Sequence, residues 1–191
     1  MSWEPTPLEQ QRLDKLDRLR EAGVDPYPLR SQRTHTTAEA IAAFEKAGDD
    51  SEIEVTVTGR LQSVRDMGKS VFAHITDEHG RIQLFLRREE VGEEPHRVFR
   101  KLTDLGDFIQ ASGRLVRTRT GEISVRVNEW QMLAKAISPL PVVKEQEIDG
   151  ETVRYSAFSD VEERYRQRYA DLAVNPEVRD IFRVRAKLII A

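Results

Sequence analysis

The stretch from Val55 to Leu86, VTVTGRLQSVRDMGKSVFAHITDEHGRIQLFL, constrains the chain most. In its second half Val71, Ala73 and Ile75 alternate with Phe72, His74 and Thr76. After Asp77-Glu78-His79-Gly80 the alternation resumes, with Ile82, Leu84 and Leu86 set against Arg81, Gln83, Phe85 and Arg87. A period of two with one apolar side predicts an antiparallel hairpin on a half-buried sheet. The other side is unusual for a solvent face. Aromatics, arginines and a glutamine together form a set suited to stacking on bases and hydrogen-bonding their edges.

The surrounding segments also read as strands. Val55 to Leu61 alternates, contains Gly59, and loses phase near Ser63-Val64-Arg65, which predicts a bulge or strong bend. Pro95 to Leu102 reads as a short helix with Val98, Phe99 and Leu102 inward. Phe108–Arg117 and Ile123–Trp130 are two further strands joined by Arg119-Thr120-Gly121. The last of these buries Ile123, Val125 and Val127 and shows Glu122, Ser124, Arg126 and Asn128. Three strands, a helix and two strands, with a long bent first strand, predict a mainly β fold, a five-stranded Greek-key OB-fold barrel. A barrel without a ligand is the alternative, because fold alone does not assign function.

Helices flank this region. Leu8 to Ala22 carries Leu13, Leu16 and Leu19 on one stripe, ends at Gly23, and exits through Asp25-Pro26-Tyr27-Pro28. The simplest reading of Arg12, Lys15 and Arg18 is a solvated helix face, with an RNA contact as the alternative. Thr36 and Glu39 fit a capping box for a helix over Thr37–Lys46, which Gly48 stops. Gly48-Asp49-Asp50-Ser51 reads as a linker. Beyond Lys135 come a stiff Ser138-Pro139-Leu140-Pro141 and a polar loop to Phe158. Ser159 and Glu162 then cap a helix from Val161 to Leu172. Asn175-Pro176 opens the last helix, with Val178, Ile181, Phe182, Leu188 and Ile189 at helical spacing. Its apolar run reaches Ala191 without a stop signal, the expectation for a truncated helix. The expected division is a helical segment over 1–51, the OB-fold over 52–135, a connector over 136–158, and the start of another domain over 159–191.

Composition limits the function. A chain of 191 residues can bury one good core with a smaller appendage. A formal net charge of -3 gives no global basic field, so any nucleic-acid contact must come from a local face. Without cysteine there are no disulfides or thiolate metal sites, which fits a reducing compartment. The start MSWEPTPLEQQRLDKLDRL has no apolar signal region, and no run approaches membrane length, so a cytoplasmic setting is expected. His35, His74, His79 and His96 lie in different elements with no metal-ligand spacing. Phosphate-cradling glycine motifs, G-x-S-x-G and H-E-x-x-H are absent, and catalysis by this chain is not expected.

A binding constellation is better supported. Phe72 is outward by phase and could receive a base, at about 1–3 kcal/mol of stacking. Gln83, across the hairpin, could meet the uracil edge with two hydrogen bonds, discriminating by roughly 1–3 kcal/mol. The same amide, flipped, could pair with cytosine, so a neighbour must fix its orientation. Ionised Glu122 can only accept and favours a base offering a ring N–H. Arg65, beyond the bulge, could contact phosphate or stack. Ordinary surface charge is the alternative for Glu122 and Arg65, and a harmless surface ring the alternative for Phe72.

Several stretches resemble the N-terminal half of bacterial class II lysyl-tRNA synthetases. They are GVDPYPLR at Gly23–Arg30, RTHTTAE at Arg33–Glu39 and VRDMGKSVFAHITDEHGRIQLFLRREEVG at Val64–Gly92. RTRTGEISVRV at Arg117–Val127, AISPLP at Ala136–Pro141 and RYRQRYADLAVNPEVRDIFRVRAKLII at Arg164–Ile190 continue the match in the family's order. The R-D-x-G…F…G-x-x-Q core is shared with aspartyl- and asparaginyl-tRNA synthetases, whereas GVDPYP, TGE and PLP favour the lysyl branch. The resemblance implies an OB-fold that binds a uridine-rich tRNA anticodon through Arg65, Phe72, Gln83 and Glu122, with Phe72 stacked on the central base. His74, Phe85, Arg87 and Arg119 are candidates for auxiliary RNA contacts. It implies that 159–191 begins the catalytic domain and that the helix from Pro176 starts motif 1, which builds the homodimer interface. Motifs 2 and 3, which hold ATP, Mg2+ and lysine in the full-length enzyme, are absent. The chain alone is therefore expected to hold no cofactor and to be inactive, although the full-length family attaches lysine to tRNA through a lysyl-adenylate. Ala170 stands where the family usually has leucine, and the loop Val142–Ser156 is longer than usual. A free-standing tRNA-binding or protein-interaction OB module is the alternative.

Overall fold

The computed structural model describes residues 4–49, 51–141, 143–148, 151–156, 158 and 160–190. Strands β1 (Glu54–Asp66), β2 (Ser70–Thr76) and β3 (Arg81–Arg87) form an antiparallel meander. The helices α3 (Arg88–Val91) and α4 (Glu93–Leu102) then lead to β4 (Phe108–Arg117) and β5 (Ile123–Ala134). β5 pairs with β3 in parallel and β4 returns to β1, so the order β1-β2-β3-β5-β4 closes as a barrel. The alternation read from the sequence is the alternation that fills it. Val57, Leu61, Ile75, Leu84, Ile109 and Val125 are fully buried, each worth about 1.5–3 kcal/mol over leaving it in water. Phe99 from α4 joins the same core, edge-on to Trp130 at 5.1 Å.

Bulges set the curvature. The β1–β2 register shifts between Leu61 and Ser63, where the sequence loses phase, and beyond it β1 is exposed on both sides. A second shift, between Ser112 and Gly113, brings β4 hard against β5. A Cβ on Gly113 would lie 2.1 Å from the Arg126 carbonyl oxygen, so only glycine fits the crossing.

Two capped helices pack on the barrel. In α1 (Pro7–Glu21) and α2 (Thr37–Ala47) the capping boxes are Thr6 with Glu9 and Thr36 with Glu39. Phe44 of α2 is fully buried in the core. Thr37 ties the start of α2 to the β2–β3 turn, its N–H and hydroxyl donating to Asp77 at 2.8 and 2.7 Å. Burial opposes ionisation of Asp77, but these bonds and those from His79 and Gly80 hold its carboxyl below the usual range. The chain between the helices lies along β1 and β4, with Thr34 N–H donating to Thr56 O at 2.9 Å and Gln32 N–H to Gln110 Oε1 at 2.6 Å.

The solvated-face reading of α1 needs correction. Arg12 is buried, and its guanidinium donates to the carbonyls of Ala136 and Leu105 at 3.0 and 3.1 Å. Lys15 pairs with Asp104 at 2.5 Å. Arg18 alone of the three remains exposed. The stripe of Leu16 and Leu19 turns the helix so that Arg12 also faces the barrel, and two orphan carbonyls there supply its partners.

By its internal contacts the chain divides into two compact units, Met1–Pro139 and Leu140–Ala191. In the second, the expected polar loop is instead a hairpin of β6 (Val143–Ile148) and β7 (Glu151–Ser156). The sequence signal was an Asp-Gly dipeptide between two runs containing β-branched residues. Asp160 caps α5 (Val161–Arg166), accepting from Glu163 N–H at 2.8 Å; Ser159, the expected cap, lies outside the described residues. The helix expected to run to Leu172 breaks at Gln167 (φ -115, ψ 55) before α6 (Arg168–Val174). Asn175, expected as a side-chain cap, gives its amide to Asp171 at 2.6 Å. Asp171 is fully buried and also receives Arg164 and Arg168. In α7 (Pro176–Ile190) Val178 is buried, while Ile181, Val184, Leu188 and Ile189 are exposed. Among the described residues no helix is long and apolar enough to cross a membrane.

Candidate nucleic-acid interface

Strand register alone assembles the outer face of the barrel. Arg65 opposes Phe72, Phe72 opposes Phe85, and Phe85 opposes Arg126, one row across β1, β2, β3 and β5. The next row is Ser63, His74, Gln83 and Ser124. Glu122 stands at the end of that row, just before β5. A row of rings therefore lies beside a row of hydrogen-bonding groups.

The rings stack on each other. Phe72 and Phe85 have centroids 4.6 Å apart and planes 6° from parallel, a flat platform that keeps partial exposure at both residues. Its flanks are charged. Arg126 Nε reaches both Glu90 oxygens, at 2.9 and 2.8 Å, and Nη2 donates to Oε1 at 2.5 Å; the hydrogen bond from Arg126 is the main reason the Glu90 carboxyl is held below its usual range. Arg87 is drawn to the same acid, at 3.2 Å from Glu90 and 3.3 Å from Glu89. Arg65 is exposed and has no ion-pair partner among the described residues. Arg119 sits exposed in the β4–β5 turn, which Thr118 N–H closes onto the Glu122 carbonyl at 2.9 Å.

The polar row is a connected network. Gln83 Nε2 donates to Glu122 Oε2 at 2.6 Å. Glu122 Oε1 meets His74 Nε2 at 2.8 Å, and His74 Nδ1 meets Ser63 Oγ at 2.9 Å. From below, the Ser124 hydroxyl donates to Gln83 Oε1 at 2.8 Å. Two readings of the sequence change here. Ser124 was expected to be shown and is instead fully buried, because Gln83 covers it. Gln83 faces outward as predicted yet is only 8% exposed, since it spans the gap between Ser124 and Glu122. Glu122 keeps 39% of its side chain exposed, against 21% for His74.

Of the residues singled out in the sequence, the fold thus brings together Phe72, Phe85, His74, Gln83 and Glu122, with Arg65 at the edge. Arg87 is diverted into ion pairs, and Arg119 belongs to the turn. Sequence reasoning missed Ser63, Ser124, Arg126 and Glu90. The first three enter through pairings of β2 with β1 and of β3 with β5, which alternation along a single strand does not specify. Among the described residues no group of three or more His, Asp or Glu is placed to hold a metal ion.

A closed five-stranded barrel with stacked aromatics and a row of hydrogen-bonding groups on its outer face is the architecture of an OB-fold nucleic-acid binding domain. The family model of the OB-fold nucleic acid binding domain, in its tRNA anticodon class, accordingly matches residues 55–133. Beyond that domain, the chain is 50% identical over 183 residues to the lysine–tRNA ligase of Roseiflexus castenholzii, covering 95% of this chain and 35% of that protein. The lysine–tRNA ligase of Chloroflexus aurantiacus is 48% identical with the same coverage. That of Bacillus subtilis is 40% identical over 184 residues, 94% of this chain and 34% of the relative. The similarity to these lysine–tRNA ligases runs along nearly the whole of this chain, which spans about a third of their length.

Proposed function

We propose that the outer face of β1, β2, β3 and β5 reads the uridine-rich anticodon of a lysine tRNA, as the anticodon-binding part of a lysyl-tRNA synthetase. The observation that carries this reading is the juxtaposition of the Phe72–Phe85 stack with the Gln83–Glu122–His74 network. Splayed loop bases are recognised by such a pairing of a π-platform with hydrogen-bonding groups aimed at base edges. Arg65, on the same row as the rings and without an ion-pair partner among the described residues, can meet a phosphate.

On this reading the whole enzyme activates lysine with ATP to lysyl-adenylate and transfers it to the 3′ end of the tRNA. ATP and Mg2+ are held by motifs 2 and 3, outside these 191 residues, and this chain selects and positions the tRNA in the cytoplasm. The exposed Ile181, Val184, Leu188 and Ile189 of α7 suit the apolar seam of a homodimer.

Phe72→Ala tests the assignment. Loss of one stacked base, about 1–3 kcal/mol, weakens binding of an anticodon stem-loop at least ~fivefold. The thermal midpoint stays close to the parent's, because the ring lies outside the core. Equal affinity of variant and parent overturns the role of Phe72.

A further inference from the structure

Gln83 can discriminate bases only if its amide is held one way round. The amide presents a donor and an acceptor side by side, which fits uracil in one orientation and cytosine in the other. Ser124 cannot choose between them, since a hydroxyl rotates to donate to Oε1 or to accept from Nε2. Glu122 can. Its Oε2 lies 2.6 Å from Gln83 Nε2, and a flipped amide would set its own oxygen against an ionised carboxylate at that distance. Glu122 also fixes His74, whose Nε2 must carry the proton to donate to Oε1 at 2.8 Å. Ser63 adapts at the far end, as Ser124 does at the near one.

We propose that Glu122 is the orientation lock of Gln83 and that His74 holds the lock in place, so both are positioning residues for base choice. This rests on the reading of the face as an RNA-binding surface. It differs from a direct role for Glu122, in which the carboxylate itself accepts the base N–H, and from a direct RNA contact by His74. With the carboxylate against Nε2, Gln83 keeps its second amide hydrogen and the second lone pair of Oε1 in a fixed order. A base seated on the rings then meets one pattern, and one pyrimidine is preferred over the other.

The test measures binding of two RNA hairpins to the full 191-residue chain, one with an all-uridine loop triplet and one with its central uridine replaced by cytidine. The parent is expected to prefer one pyrimidine by about tenfold. Glu122→Gln, whose neutral amide accepts either orientation of Gln83, lowers that preference to about twofold or less while the preferred hairpin still binds. His74→Ala gives an intermediate loss, and His74→Gln, which restores a donor to the carboxylate, recovers most of it. In a Gln83→Ala background Glu122→Gln changes the preference by no more than about twofold, since there is no amide left to orient. A full loss of preference on Glu122→Gln in that background overturns the lock in favour of direct contact, and a preference untouched by Glu122→Gln in the parent overturns it outright. A parent that binds neither hairpin instead removes the RNA-reading function itself, a result distinct from either.

Discussion

β5 carries a polar network at each end, and the two are built on opposite terms. At its start, Glu122, Gln83 and His74 form a chain of hydrogen bonds under partial exposure, with adaptable hydroxyls at both ends. Just past its end, Lys135 is fully buried between Asp104 at 2.6 Å and Asp107 at 2.9 Å, and Asp107 is itself fully buried. Asp107 also accepts from Ala136 N–H at 2.8 Å, and Lys15 reaches Asp104 from α1. The first network keeps accessible acceptors and lone pairs in reserve. The second spends its groups on each other and fixes α1, the approach to β4 and the exit from β5 as one body. The difference teaches which polar clusters to read as sites: those still holding unused hydrogen-bonding capacity at the surface.

Breaking the buried end should cost most. Lys135→Met leaves the buried Asp107 without its ammonium and Asp104 with Lys15 alone, and destabilisation of about 3–5 kcal/mol is expected in a denaturant titration. Glu122→Gln, at the exposed end, is expected to cost no more than about 1 kcal/mol in the same measurement. Similar losses for the two variants would erase the distinction.

Acid sharpens the contrast. Burial raises the pKa of Asp104, yet hydrogen bonds from Lys135 and Lys15 outweigh it and leave the carboxyl below its ordinary value. A carboxyl depressed in the folded state adds stability that is present above its unfolded pKa, about 4, and is lost as pH falls through the folded one. Asp104→Asn is therefore expected to flatten the acid limb of stability against pH. Glu90→Gln removes a carboxyl that is also depressed, by Arg126, but its partner is 39% exposed, and solvent screening makes the change smaller. Chemical denaturation at stepped pH values compares the two; an equal flattening would contradict the ranking.

Much of the barrel was legible because its signals are local. The alternation from Val71 to Leu86, the phase slip before Ser63 and the inward Phe99 each correspond to an observed feature. The aromatic half of the face was legible for the same reason, since Phe72 and Phe85 share a phase within one hairpin. What lay beyond reach depended on long-range pairing. The parallel union of β3 with β5 places Ser124 under Gln83, and only that placement turns an outward serine into a buried one. Arg12 was misread for a related reason, because its carbonyl partners come from Leu105 and Ala136, far along the chain. In the second unit the miss was different in kind. There the hairpin dipeptide Asp149-Gly150 is set among charged residues that read as a polar loop, and Gln167 breaks a helix without any sequence mark.

The smallest effect concerns charge at the edge of the open face. Arg126 and Arg87 are already committed to Glu90, so an approaching phosphate must compete with a carboxylate for either of them. Arg65 has no such competitor among the described residues, and it lies across β1–β2 from Phe72, beside any base stacked there. A single phosphate contact contributes about one unit to the slope of log affinity against log salt. Arg65→Gln should therefore lower that slope by roughly one and weaken every hairpin alike, leaving the preference between uridine and cytidine unchanged. Arg126→Gln should alter the slope by less, because the charge it removes was partly cancelled before RNA arrived. If the two arginines prove equivalent, the ion pair with Glu90 opens on binding, and Arg126 belongs to the interface rather than to its support.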